Sequence, residues 1–255
     1  MRAWAILKKE LRVYFSSPIA YAVLTIFSLI TGWFFYNVFG FYVLTSMQSA
    51  MNPMMGRDLS ITDGVLRPLF QNVSVIMLLM MPILTMRLLS EEKKSGTIEL
   101  LLTYPVRDGE VLLGKYLAAL AVFVAMLVLT LAFPLIMMWV TVVEWGPLAT
   151  GYLGLLLQGA AFIAVGVLIS SLTENQIVAA VATFGTLLIF WVIAWASDSA
   201  GGTLGRVLSH VSITEHFDSF SKGVIDTKDL IYYLDLTILA LFLTLRSLDS
   251  KRWRG

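Results

Sequence analysis

The sequence predicts an all-α membrane protein with six transmembrane helices, and three observations carry that prediction. Its 255 residues are 58% hydrophobic and only 14% charged, with a mean hydropathy of +0.82, whereas a soluble domain carries roughly 25% charged residues. Five uncharged runs follow one another: 44 residues over 13–56, 19 over 68–86, 28 over 116–143, 29 over 145–173 and 23 over 175–197. A spanning helix needs about 20 such residues. Between the second and third runs lies the one charge-dense stretch, Arg87 to Lys115, which holds ten of the 35 charged residues.

Composition also excludes some function classes. The net charge of +1 supplies no basic patch for phosphate contacts, so nucleic acid is not an expected partner. The absence of cysteine removes disulfides, iron–sulfur clusters and thiol catalysis. Lys8, Lys9 and Arg12 precede an apolar run far longer than the ~7–15 residues of a signal core, and no Ala-x-Ala site follows. The N-terminus is therefore read as a retained anchor.

Residues 1–15 are expected to form a helix at the membrane surface: Trp4, Leu7, Leu11, Tyr14 and Phe15 recur at helical spacing with Lys8, Lys9 and Arg12 between them. Ser16-Ser17-Pro18 supplies a capping hydroxyl and a first-turn proline for the next helix, so span one is placed at about 19–43. Pro53, Gly56 and Gly64 mark 45–67 as a loop. Span two covers about 68–88, with a kink expected at Pro82. Spans three (116–140), four (148–172) and five (177–197) are joined by tight turns at Glu144–Pro147 and Thr173–Asn175. In 198–229, Ile213, Phe217, Phe220 and Val224 keep helical spacing, which predicts short helices in or near the interface. Span six is placed at 230–246.

Lysine and arginine orient the chain. With six spans and the N-terminus inside, 13 of the 18 basic residues are cytoplasmic: those of the N-terminus, of 87–115 and of the C-terminus. Splitting 13–56 into two spans would put the five basic residues of 87–115 outside. One span is therefore assigned to that run, and both termini are expected in the cytoplasm.

Several motifs invite chemistry. Gly109 to Lys115 matches G-x-x-x-x-G-K, but Tyr116 stands where a phosphate-binding loop has Ser or Thr, and no buried strand precedes it. No ATP site is therefore expected in this chain. His210 and His216, with Glu215 and Asp218 nearby, lack the spacing of a zinc site and are read as surface or interface residues. Asn72-Val73-Ser74 matches a glycosylation sequon but falls inside span two. Asp235 is the one acidic residue well inside a predicted span, which makes it a functional candidate; a later start of span six would leave it at the interface beside Lys228 and Asp229. In the central stretch, Thr97 is placed to cap a short helix, with Ile98, Leu101 and Leu102 on one face, Glu99 in the first turn and Pro105 past its end. Such a helix is either a docking surface or a solvated loop.

Glu91-Glu92-Lys93-Lys94-Ser95-Gly96-Thr97-Ile98-Glu99-Leu100-Leu101-Leu102-Thr103-Tyr104-Pro105-Val106, followed by Gly114-Lys115, resembles the E-x-x-x-G-T-x-E-x-L-L-x-x-P-V segment of ABC-2-type transporter permeases. Lys8-Lys9-Glu10-Leu11 with Phe15-Ser16-Ser17-Pro18, and His216-Phe217 through Gly223-Val224-Ile225-Asp226, are similar to the same family. Within it, the chain most resembles permeases of the gliding-motility-associated and copper-enzyme-maturation type.

The resemblance implies a six-span permease half with an N-terminal interfacial helix (Trp4, Leu7, Lys8, Lys9, Leu11, Arg12), a cytoplasmic coupling helix between spans two and three, and short external helices before span six. It assigns coupling to a separate ABC ATPase dimer to Glu91, Glu92, Gly96, Thr97, Glu99, Leu100, Leu101 and Pro105. No catalytic or metal site and no cofactor is expected in this chain, ATP and Mg residing on the ATPase. A second permease chain, the same or homologous, membrane lipid and an external accessory protein are the other implied partners. Polar residues within spans are few (Asn72, Ser74, Gln158, Asp235). That scarcity points to a lipidic or apolar substrate, or to a subunit that transmits ATPase strokes without transporting. A secondary transporter would need buried carboxylates and internal repeats.

Overall fold

The computed structural model describes residues 2–51, 60–97 and 107–252. Every regular element among them is helical: α1 Arg2–Ser16, α2 Pro18–Met51, α3 Arg67–Thr85, α4 Ser90–Lys94, α5 Asp108–Thr130, α6 Ala132–Met138, α7 Trp145–Leu172, α8 Gln176–Ala200, α9 Gly202–Val211, α10 Ile213–Ser221 and α11 Thr227–Arg252. Six helical stretches are long and apolar enough to cross a membrane, beginning at Pro18, Thr62, Asp108, Trp145, Gln176 and Thr227.

Local signals set most helix starts. Pro18 opens α2, and Ser17 Oγ accepts from Ile19 N. Arg107 N donates to the Glu110 carboxylate at the start of α5, the reciprocal arm of a capping box. Asn175 Oδ1 accepts from Ile177 N and Val178 N to open α8, and Ser212 Oγ accepts from Glu215 N to open α10.

Three features differ from the expectations. Helix α2 continues past 43 to Met51, because no proline or charge interrupts it. Gly64, expected to break a loop, instead lies in a π-helical turn, Thr62–Leu66, that runs directly into α3. The third span is offset between α5 and α6: Pro134 has no N–H for the carbonyl of Thr130, and the helix resets at Leu131.

Helix α7 is the hub, packed against α3, α5, α8, α10 and α11. Its glycines let neighbours approach closely: a side chain at Gly154 would meet Phe220 Cβ at 2.6 Å, and Gly151 and Gly159 sit under the rings of Phe70 and Phe123. Spans α3 and α7 are the most enclosed, while α8 and α11 are the least.

The two ends of the bundle differ. At one end, α1, α4 and the first turns of α5 gather at the C-terminal ends of α3 and α7. At the other, α9 and α10 fold over the N-terminal ends of α7 and α11. There Thr150 Oγ1 donates to Phe220 O, Tyr233 Oη to Ile213 O and Tyr232 Oη to Val211 O. Ile213, Phe217 and Phe220 are buried as their spacing predicts, but Val224 is exposed, since Gly223 (φ 90°) turns the chain just before it.

Candidate functional site, a charged cradle at one end of the bundle

Helix α3 carries Pro82, yet it continues to Thr85 before unwinding over Met86–Leu89. The freed backbone groups there find a partner on α7. Ser170 Oγ accepts from Leu89 N and Ser90 N, each at 3.1 Å, and donates to Met86 O at 3.1 Å. One buried hydroxyl thus satisfies three groups of a broken turn. Helix α4 then starts in a fixed direction and carries Glu91, Glu92, Lys93 and Lys94.

Those four side chains point different ways. Glu91 forms a two-pronged pair with Arg87 at 2.8 and 3.1 Å. Lys93 is buried and donates to Ser171 O on α7. Glu92 turns inward to Lys115, its Oε1 lying 2.8 Å from Lys115 Nζ, and Glu10 Oε1 approaches the same nitrogen at 3.2 Å. The Lys115 side chain is only 3% exposed, so one ammonium bridges α1, α4 and α5 out of water. Lys115, the last residue of the G-x-x-x-x-G-K match, therefore serves as an ion-pair partner within a helix rather than in a phosphate-binding loop.

Helix α1 is held against the same corner. A side chain at Gly114 would meet Ile6 Cγ2 at 2.7 Å and Ala3 O at 3.1 Å, so only glycine permits this approach of α1 to α5. Tyr14 Oη donates to Leu84 O at 2.8 Å, and burial, followed by the nearby Glu10 carboxylate, pushes its phenol well above the ordinary value. Trp4, Lys8, Lys9 and Arg12 are exposed, while Leu7 and Leu11 are half-buried.

Helix α4 ends at Gly96, which adopts φ +69° with open space around it. This is the left-handed cap that favours glycine, with Ser95 N bonded to Glu91 O and Gly96 N to Lys93 O. Thr97 is exposed and contacts Ser95 Oγ at 2.8 Å. Glu99, Leu100, Leu101 and Pro105, with the short helix expected around them, lie outside the described residues.

The residues proposed to line a path are not brought together. Gln158 is fully buried and donates to Ser74 Oγ at 2.6 Å, tying α7 to α3. Asn72 is half-buried on α3. Asp235 is exposed on α11, facing a groove lined by Phe190, His210, Tyr232 and Phe242. His216 is not a surface residue: it is buried under Tyr232, its ring nitrogens 2.7 Å from Asp229 Oδ1 and 3.1 Å from His210 O. Its pairing depends on α10 folding back on α11, which sequence spacing alone does not reveal. Lys115 is the other residue that sequence reading missed; its place directly after the small Gly114 in an otherwise apolar helix was the available signal.

No curated relative matches the chain. The family model described as ABC-2 family transporter protein matches residues 4–245, from the exposed face of α1 through the cradle to the last span, and the chain belongs to that family.

Proposed function

We propose that this chain is the permease subunit of an ATP-driven ABC-2-type transporter, coupling hydrolysis on a separate ATPase dimer to export or movement of a lipidic or apolar substrate. ABC-2 permeases are membrane subunits of ABC transporters, not ATPases themselves, and work with an ABC ATPase. The observation that carries the reading is the cradle, where the segment that resembles the coupling motif is anchored to three other helices. In this reading the cradle end is cytoplasmic and α9–α10 lie on the external side of a bacterial or archaeal inner membrane. The coupling role falls on Glu91, Glu92, Gly96, Thr97, Glu99, Leu100, Leu101 and Pro105, with ATP and Mg on the ATPase. A second permease chain, the same or homologous, completes the path, and an external accessory protein meets the α9–α10 end. The chain is closest in motif to the gliding-motility-associated and copper-enzyme-maturation permeases.

Closing of the ATPase dimer would push α4 through the unwound turn at Met86–Leu89. To move a two-state equilibrium from 1:99 to 99:1, the stroke must bias it by about 5.5 kcal/mol. The Gln158–Ser74 pair favours a second reading as well: Gln158 Nε2 is spent on Ser74 Oγ across α3 and α7, tying the two spans together as in a subunit that transmits force without carrying a polar solute.

The test is co-purification with the cognate ABC ATPase of the wild type and of Leu101→Asp. Loss of the ATPase from a variant that stays monodisperse supports the coupling segment as the docking element. Retention removes that assignment.

A further inference from the structure

The cradle contains an arrangement that docking alone does not require. Lys115 Nζ faces two carboxylates, Glu92 at 2.8 Å and Glu10 at 3.2 Å, and the Lys115 and Glu10 side chains are only 3% and 10% exposed. Glu92 Oε2 is buried with no hydrogen-bond partner. Two acids thus share one buried ammonium in a site almost without water. Buried ion pairs contribute little net stability, because desolvation offsets their attraction, but removing one partner leaves an uncompensated charge. What they do well is fix register. Here the three charges come from three helices: Glu10 from α1, Glu92 from α4 and Lys115 from α5. Glu10 also lies against Lys9, at 3.6 Å, which is exposed and adds no buried contact.

The surrounding contacts agree. Gly114, the neighbour of Lys115, brings the α1 backbone into contact with α5, and Lys93 anchors the opposite side of α4 to Ser171 O. Helix α4 is only five residues long, too short to hold a direction by itself. Its orientation depends on these tethers.

We propose that Lys115 is a positioning residue that clamps α1 to α4, so that the two helices at the coupling end move as one body and Glu92 acts inward on Lys115 rather than on the ATPase. This rests on the coupling reading above. It divides the Glu91–Pro105 motif into an inward half that orients and a half beyond Gly96 that docks.

The chain has no cysteine, so paired cysteines at Lys8 and Ser95, both exposed, can carry nitroxide spin labels in the full-length permease in nanodiscs. Their distance is measured by pulsed electron resonance on the permease alone, and again with the ATPase under ATP and under ATP plus vanadate. The expected result is one narrow distance, unchanged across these states. Glu92→Gln and Lys115→Met should broaden it. Lys115→Met leaves the carboxylates of Glu10 and Glu92 without their shared base and is open to misfolding, so Glu10→Gln, which removes the α1 arm and keeps the Glu92–Lys115 pair, is the second variant and should broaden the distance as well.

The clamp is overturned by any of three results: a wild-type distance that shifts with nucleotide, a narrow distance in Lys115→Met, or a narrow distance in a monodisperse Glu10→Gln. Loss of the ATPase from Glu92→Gln with the distance intact would instead place Glu92 on the docking surface, and equally overturns the inward role. If no ATPase binds the wild type, the coupling reading fails, while the distances on the permease alone still decide whether the clamp exists.

Discussion

At the scale of single residues, charges sort by whether a partner reaches them. Asp218 on α10 accepts from Arg67 at 2.6 Å and pairs with Lys222 at 2.5 Å. Burial raises its carboxyl, but the bonds from Lys222 and Arg67 outweigh that and hold it below the ordinary value. A lowered folded value means that the stabilisation is present above the unfolded carboxylate value of about 3.9 and is lost as pH falls through the lower folded value. Thermal unfolding in detergent should therefore show stability falling below about pH 4, and Asp218→Asn should flatten that part of the profile. Asp235, exposed on α11, pairs with no basic side chain among the described residues. Sixteen residues separate Asp229 from Arg246, roughly 24 Å of helix, which is already shorter than a hydrocarbon core of about 30 Å. By helix rise Asp235 lies roughly 9 Å from Asp229, in a groove that Lys228 and His210 also line. A charge at a helix centre costs about 2.5–3.5 kcal/mol to insert, so Asp235→Leu should improve insertion of residues 227–252 by up to that amount if Asp235 lies in the hydrocarbon and by none if it lies at the interface, read in a membrane-insertion assay on a host protein.

At the scale of elements, the informative feature is the interruption between α3 and α4. Pro82 marked the region in the sequence, yet the unwinding falls over Met86–Leu89, where Ser170 of α7 is placed to satisfy the backbone. Proline weakens the ladder locally; the tertiary partner decides where it opens. Ser170→Ala removes an acceptor shared by two buried N–H groups and should destabilise the protein by about 1–3 kcal/mol, measured as a lowered unfolding midpoint. Recovery by Ser170→Thr, which keeps the hydroxyl, would assign the loss to the hydrogen bonds. The α5–α6 offset falls just before Pro134, a proline that the span assignment over 116–140 passes over because the run around it is uninterruptedly apolar.

At the scale of the whole molecule, six spans and two dissimilar ends define a multi-pass membrane protein of the ABC-2 transporter family. The end that holds α1 and α4 is opposite the end that holds α9 and α10. The proposed orientation follows from the basic residues that crowd the first end. Single cysteines make this measurable in a chain that has none: Ser95→Cys should react with an impermeant maleimide only from the cytoplasmic side of oriented vesicles, and Thr203→Cys only from the external side. Labelling of both from one side would remove the topology, and with it the assignment of the coupling end.

Hydrophobic run length, with the distribution of basic residues that kept 13–56 as one span, determined the all-helical, six-span plan, because a chain in lipid must satisfy its backbone within helices. The helix start at Ser16-Ser17-Pro18 was legible because it acts on neighbours a few residues away; in the sequence Asn175 reads only as part of a turn and Gly96 only as a coupling residue, and the structure adds their capping roles. The pairing of side chains far apart in sequence was not legible. Glu10 with Lys115, Ser170 with Leu89, and His216 with Asp229 depend on which helix faces which, and α7 sets those faces through close approaches at Gly151, Gly154 and Gly159. Tertiary packing alone decided that Glu92 faces inward, that Gln158 is sealed between spans, and that Asp235 faces out. Each choice turns on a contact between helices, which the local pattern of one helix does not encode.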